Sequence, residues 1–215
     1  MDALSTLQQV RLVPVVSIAD ADHAVPLARA FLAGGIPAIE VTLRTEAALD
    51  AIAAIAHRVP DIIVGAGSIR RPEQLRAAQE RGARFGVCPG SSPSLLDAAA
   101  DASFPFVPGA STASEMIALL ERGYTLQKFF PAERLGGLAT IKALSAPLPE
   151  VLFFPTGGID ASIARDYLAF DRVQCIGGSW FVSNEAVVRG EFAVVEAAAR
   201  AAMQVIEGVL TNTKP

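Results

Sequence analysis

Lys128 lies in Tyr124-Thr-Leu-Gln-Lys-Phe-Phe-Pro131, a short apolar run. Of 18 basic residues only Lys128, Lys142 and Lys214 are lysines; the rest are arginines. Lys142 falls in a helical, surface-like pattern and Lys214 in the terminal tail. A lysine set where a charge is costly to bury offers something arginine lacks. Apolar surroundings favour the neutral amine, a nucleophile toward carbonyl carbon, whereas a guanidinium stays protonated. A lysine that snorkels from a strand end or pairs with one acid would look the same in isolation.

Other polar groups punctuate otherwise apolar runs. In Glu40-Val-Thr-Leu-Arg44, strand alternation puts Glu40, Thr42 and Arg44 on one face. Glu40 suits a general acid/base, or else a structural ion pair with Arg44. Arg44 has the fork geometry for a carboxylate, or is a strand-end surface charge. Ser68, in Gly65-Ala-Gly-Ser68, can add a hydrogen bond to the same carboxylate or cap the helix that follows. Late in the chain stand Thr156-Gly157-Gly158 and Gly177-Gly178-Ser179. Glycine pairs there let backbone N–H groups approach a phosphate, with Ser179 adding a hydroxyl near a helix N-terminus. The same glycines would also serve tight strand-to-helix turns. A lysine, a glutamate and an arginine from separate strand ends carry more weight together than singly.

These residues need a frame that brings strand ends to one place, and the sequence pattern supplies it. β-Branched or aromatic runs occur at 12–16, 38–42, 62–66, 85–87, 106–108, 126–130, 152–154 and 173–176. Between and after them, apolar residues recur every three or four positions at 21–33, 46–58, 72–81, 93–100, 112–121, 138–145, 160–168 and 184–208. Gly34-Gly35, Gly82 and Gly123 stand where helix C-caps are expected. Eight such units without a long linker predict an α/β chain folded as one (β/α)8 barrel over residues 1–215, with brief loops. An open doubly wound sheet is the rival, but no Gly-x-Gly-x-x-Gly follows the first strand. In a barrel the active site forms at the C-terminal strand ends, where all the residues above fall.

Composition narrows the classes. The 215-residue chain is 52% hydrophobic with a net charge of −4, and it has no basic block suited to nucleic acid. No apolar run is long enough to span a bilayer, and the opening residues lack the pattern of a secretory signal. Cys88 and Cys175 have no disulfide or metal spacing and read as buried small hydrophobes. His23 and His57 lie alone in helical patterns, so no metal site and no Ser–His relay is expected. A soluble protein of a reducing, cytoplasmic compartment follows, with a mobile tail at 211–215.

At the chemistry-bearing residues the chain resembles a known family. The segments are Glu40-Val-Thr-Leu-Arg44-Thr, Gly65-Ala-Gly-Ser68, Pro108-Gly-Ala-Ser-Thr-Ala-Ser-Glu115, Lys128-Phe-Phe-Pro-Ala-Glu133, Pro155-Thr-Gly-Gly-Ile159 and Ile176-Gly-Gly-Ser-Trp180. In that order they are similar to the bacterial 2-dehydro-3-deoxy-6-phosphogluconate (KDPG) aldolases, also called 4-hydroxy-2-oxoglutarate aldolases. The resemblance implies a homotrimeric TIM barrel and a class I aldolase without metal or other cofactor, its substrate a phosphorylated 2-keto acid. It puts the Schiff-base lysine at Lys128, the acid/base at Glu40 and the carboxylate arginine at Arg44. Phosphate loops fall on Gly157, Gly158, Gly178 and Ser179, and Ser68, Pro89, Phe130 and Thr156 complete the expected substrate contacts. Position 68 departs from the family's usual Thr, which keeps the hydroxyl and loses the methyl that restricts its rotamer. Cys88 stands before Pro89-Gly90 where Ser is common. Phe129 and Phe130 are expected beside the lysine and the pyruvate methyl, or else partly in the core. A sister aldolase acting on the galactonate epimer is the nearest alternative. From another class, a non-catalytic phosphometabolite-binding barrel would keep the glycine loops without needing Lys128 and Glu40.

Overall fold

A computed structural model describes Leu7 and residues 10–210, the last four by backbone alone. The tail at 211–215, expected to be mobile, lies outside the described residues, as does the opening segment 1–6. The chain then alternates β1 (Leu12–Val16), α1 (Ala24–Ala33), β2 (Ala38–Thr42), α2 (Ala48–Arg58), β3 (Ile63–Gly67), α3 (Pro72–Glu80), β4 (Phe85–Val87) and α4 (Pro93–Asp101). It continues with β5 (Phe106–Val107), α5 (Ala113–Glu121), β6 (Leu126–Phe129), α6 (Gly137–Ser145), β7 (Leu152–Pro155), α7 (Ala164–Ala169), β8 (Ile176–Gly178), α8 (Asn184–Val188) and α9 (Phe192–Leu210).

All strand pairs are parallel, because each strand is followed by a crossover helix that returns the chain to the same end. Six strands form a continuous ladder in the order β5-β4-β3-β2-β1-β8, and β6 pairs with β7 separately. Single bridges close the ring: Gly109 to Lys128 on one side, Phe153 to Val173 and Thr156 to Gly177 on the other. The result is the expected α/β barrel, partly closed, with two seams where a ladder is reduced to isolated bridges.

Period-two alternation sorts the strand residues into two cores. Val13, Ala38, Ile63, Phe85, Val87, Val107, Leu126, Phe154 and Cys175 point inward and fill the barrel with Leu7. The opposite faces pack against the helices, as Leu12, Ile39, Val64, Phe129, Phe153 and Ile176 do. The Phe85 ring occupies the axis at Gly65, where a Cβ would come within 2.2 Å of it. Inward positions above this plug are polar, which opens the C-terminal mouth.

Three expectations are corrected. The eighth strand was expected at 173–176 and forms at Ile176–Gly178, paired with Leu12, Val13 and Pro14 of β1. Gly177 and Gly178 therefore belong to the strand and not to the loop after it. Glycine's poor strand propensity hides them, but no side chain fits there: a Cβ on Gly178 would lie 1.9 Å from the Trp180 ring. The single C-terminal helix expected at 184–208 is broken into α8 and α9 by Gly190, whose φ of 71° no ordinary helical residue adopts. The seventh helix starts at Ala164 and not near 160, since Asp160 folds a turn by accepting the Ser162 N–H at 2.8 Å.

Candidate active site

The inward columns of five strands end at one mouth. Val15 and Ser17 rise from β1, Glu40, Thr42 and Arg44 from β2, Lys128 and Phe130 from β6, Thr156 to Ile159 from β7, and Gly177 to Ser179 from β8. With Asn184 they line a cavity of about 230 Å³.

At its floor Lys128 meets Glu40. The Nζ donates to Oε1 at 3.1 Å and faces Oε2 at 3.5 Å, both side chains being essentially buried. The ion pair left open for Glu40 thus forms with Lys128 and not with Arg44. Backbone bonds fix the lysine: its N–H donates to Pro108 O at 2.8 Å, and its carbonyl accepts from the Ala110 N–H at 2.9 Å. The amine lies 5.7 Å from the ring centres of both Phe130 and Phe154. Phe129, also expected beside it, points the other way and packs edge-on against Phe153 in the outer core. Alternation allows only one of two consecutive phenylalanines to face the cavity. Gly67 leaves the space that the Glu40 carboxylate fills, since a Cβ there would sit 2.0 Å from Oε1.

Arg44 stands at the open side, exposed, and forms no ion pair with a described residue. Its Nε donates to Ser68 Oγ at 3.0 Å. Ser68 has a left-handed backbone, φ 58°, which turns its hydroxyl toward the arginine. It does not line the cavity itself and acts on Arg44 from behind. Pro89 is likewise outside the lining, exposed and packed against Gly109. Next to it Cys88 is fully buried and accepts the Gly109 N–H at 3.3 Å. Burial pushes its thiol pKa up, against smaller opposing effects of that N–H and of Ser91.

The far wall is built from the glycine segments. Gly157 and Gly158 have φ of 101° and 85°, a left-handed backbone that glycine adopts without strain. Thr156 is buried beside them, and its Oγ1 has no hydrogen-bond partner among the described residues. The segment after β6 holds this wall: the Ala132 N–H donates to Thr156 O at 2.9 Å and the Glu133 N–H to Gly157 O at 3.0 Å. Tyr167 donates its hydroxyl to Glu133 Oε1. Its pKa is pushed upward by burial and then by that carboxylate, which keeps it a donor. Ser183, and not Ser179, caps the next helix by accepting the Ala186 N–H at 3.1 Å. Ser179 lines the cavity without standing at a helix terminus.

Val15, Ser17, Ile159 and Asn184 line the cavity without having been singled out, and Thr42 had been placed only by parity. The alternation of β1 was the available signal for Val15 and Ser17. Nothing local marks Asn184, which a separate helix delivers. Among the described residues no group of His, Cys, Asp and Glu side chains could hold a metal ion, and no helix is long and apolar enough to cross a membrane.

The chain that builds this cavity is similar to known proteins along most of its length. The family profile for KDPG and KHG aldolase matches residues 4–198. The KHG/KDPG aldolase of Escherichia coli K12 is 46% identical over 193 residues, 90% of this chain and 91% of that one. The 2-dehydro-3-deoxy-phosphogluconate aldolase of Pseudoalteromonas atlantica is 46% identical over 198 residues, 92% of each chain. A crystal structure of the KDPG aldolase of Legionella pneumophila, with pyruvate captured at low pH as a covalent carbinolamine intermediate, superposes with a TM-score of 0.89. It is 37% identical, covering 92% of this chain and 96% of that one.

Proposed function

The chain belongs to the KDPG and KHG aldolase family, and from that premise we infer a class I aldolase that cleaves KDPG to pyruvate and glyceraldehyde 3-phosphate, and 4-hydroxy-2-oxoglutarate to pyruvate and glyoxylate. The reading treats residues 1–215 as one aldolase domain, cytoplasmic and homotrimeric. The observation that carries it is the Lys128 amine, buried at the cavity floor 3.1 Å from Glu40.

Lys128 in its neutral form attacks the C2 carbonyl of the keto acid. Glu40 is near enough to receive the proton that Nζ must shed and to return it, directly or through water, to the departing hydroxyl. Loss of water from the carbinolamine gives a protonated imine. That imine accepts the electron pair of the C3–C4 bond as it breaks, leaving an enamine, while the C4 hydroxyl gives up its proton to the Glu40 carboxylate and becomes the aldehyde. Protonation of the enamine at C3 and hydrolysis of the imine release pyruvate and restore the amine. The carbinolamine in the Legionella relative supports this route, being the adduct that precedes such an imine.

Arg44, steadied by Ser68, holds the substrate carboxylate at the open side. Phe130 packs against the pyruvyl carbons, and Pro89 shapes the rim. Gly157, Gly158, Gly178 and Ser179 take the phosphate at the far wall, and Thr156 lines the cavity beside them.

The test is reductive trapping. Incubation with pyruvate and borohydride should add one pyruvate-derived mass, mapped to Lys128. Lys128→Arg should give neither adduct nor cleavage although the charge is kept, because a guanidinium forms no imine under these conditions. No adduct on folded wild-type protein would remove the aldolase reading and leave a phosphate-binding barrel.

A further inference from the structure

We propose that Ser17 is a specificity-determining residue for the aldehyde half of the substrate, its Oγ accepting a hydrogen bond from a hydroxyl on the carbon next to the aldehyde carbon. The proposal rests on the aldolase reading and adds the chemical feature by which the site would choose among aldehydes.

Hydrogen bookkeeping fixes what Ser17 can offer. Thr42 Oγ1 lies 3.0 Å from the Val16 carbonyl oxygen, a buried contact in which only the threonine can donate. A hydroxyl has one hydrogen, so Thr42 has spent it. Ser17 Oγ lies 2.7 Å from the same Thr42 Oγ1. The serine must be the donor there, and its own hydrogen is spent as well. What Ser17 presents to the cavity it lines is a pair of lone pairs. Such a group repels a carboxylate or phosphate oxygen and gains nothing from a bare C–H. It matches an O–H.

The ring order places this acceptor. β1 stands between β8 and β2, with Val15 in register with Glu40 and Pro14 with Gly178. On one side of Ser17 are Glu40 and Arg44, on the other the glycine wall and Ser179. An aldehyde phosphate bound with its carbonyl carbon at the Lys128–Glu40 end and its phosphate on that wall has its middle carbon in this span. In glyceraldehyde 3-phosphate that carbon bears a hydroxyl; glyoxylate has no such carbon. Among the groups that line this span, Ser17 is the one whose hydrogen is already committed within the protein, so toward a hydroxyl in the middle it acts as an acceptor alone.

The experiment is aldol addition of pyruvate to two acceptors, D-glyceraldehyde 3-phosphate and 3-oxopropyl phosphate, which differ only by that hydroxyl. The wild type should favour the hydroxylated acceptor in kcat/KM. In Ser17→Ala the preference should shrink about fivefold, the ratio set by one neutral hydrogen bond of ordinary strength. Ser17→Thr, which keeps the hydroxyl, should restore it. Thermal melting of each variant establishes that it is folded. A wild type indifferent to the hydroxyl overturns the proposal. Equal loss on both acceptors in Ser17→Ala also overturns it, leaving Ser17 as a prop for Thr42. A wild type that adds pyruvate to neither acceptor and traps none with borohydride overturns the aldolase reading first and this proposal with it.

Discussion

Glu40 has no surface of its own in solvent and both oxygens turned to one amine. Glu40→Gln keeps the shape and one acceptor but cannot carry a proton. Pyruvate should still be trapped on Lys128, more slowly, while turnover falls by roughly 10²-fold or more. Unchanged turnover in a steady-state assay would remove Glu40 from proton transfer. Arg44→Lys should raise KM for the keto acid more than it lowers kcat, because a point charge replaces a fork that Ser68 orients. Equal effects on both parameters would assign Arg44 to the reacting centre. Lys128, Glu40 and Arg44 were legible in the sequence because each is a residue type that its surroundings do not otherwise call for. Ser17 was not, since a serine after a β-branched run is common and its meaning depends on Thr42, 25 positions away.

Among elements, β3 gives the sharpest test. A methyl at Gly67 would sit 2.0 Å from the Glu40 carboxylate, and strand backbone cannot retreat far. Gly67→Ala should fold yet lose about 10²-fold in kcat by displacing the carboxylate from Lys128. Near-normal kcat in a crystal-clear, well-melting variant would mean that Glu40 reaches the amine from another rotamer. α5 carries a capping box: Thr112 accepts the Glu115 N–H, and Glu115 accepts from the Ser111 and Thr112 amides. Thr112→Ala should cost about 1 kcal/mol, read by denaturant unfolding. The Ser111 N–H, with the other donors, holds the Glu115 carboxyl below its ordinary 4.5. A depressed carboxylate stabilises the fold above its unfolded value, and that contribution fades as pH falls through the lower, folded one. The stability gap between wild type and Glu115→Gln should therefore narrow from about pH 6 to about pH 3; a gap constant over that range would exclude the effect. Periodicity revealed most elements because helix and strand periods differ so plainly. It failed at β8, where backbone pairing with β1 holds two glycines that carry no pattern, and at Gly190, where one positive φ splits a continuous apolar stripe.

For the molecule as a whole, the homotrimer in the proposed function predicts a light-scattering mass about three times the 22.5 kDa chain. A concentration-independent mass of one chain would remove it. The barrel's own construction has a consequence for turnover. Glu40 and Arg44 belong to the continuous six-strand leaf, while Lys128 and Thr156 belong to the separate β6–β7 leaf, and among the described residues the strands of the two leaves pair through isolated bridges. The Lys128–Glu40 contact is a stitch from one leaf to the other. A keto acid joined covalently to Lys128 and gripped through its carboxylate by Arg44 would replace that stitch with a strap, made of substrate, and each catalytic cycle would fasten and unfasten the two leaves. Amide hydrogen exchange at Ala110, Lys128 and Gln174, whose N–H groups bond across the seams, should then slow in the borohydride-trapped pyruvate adduct relative to the free protein.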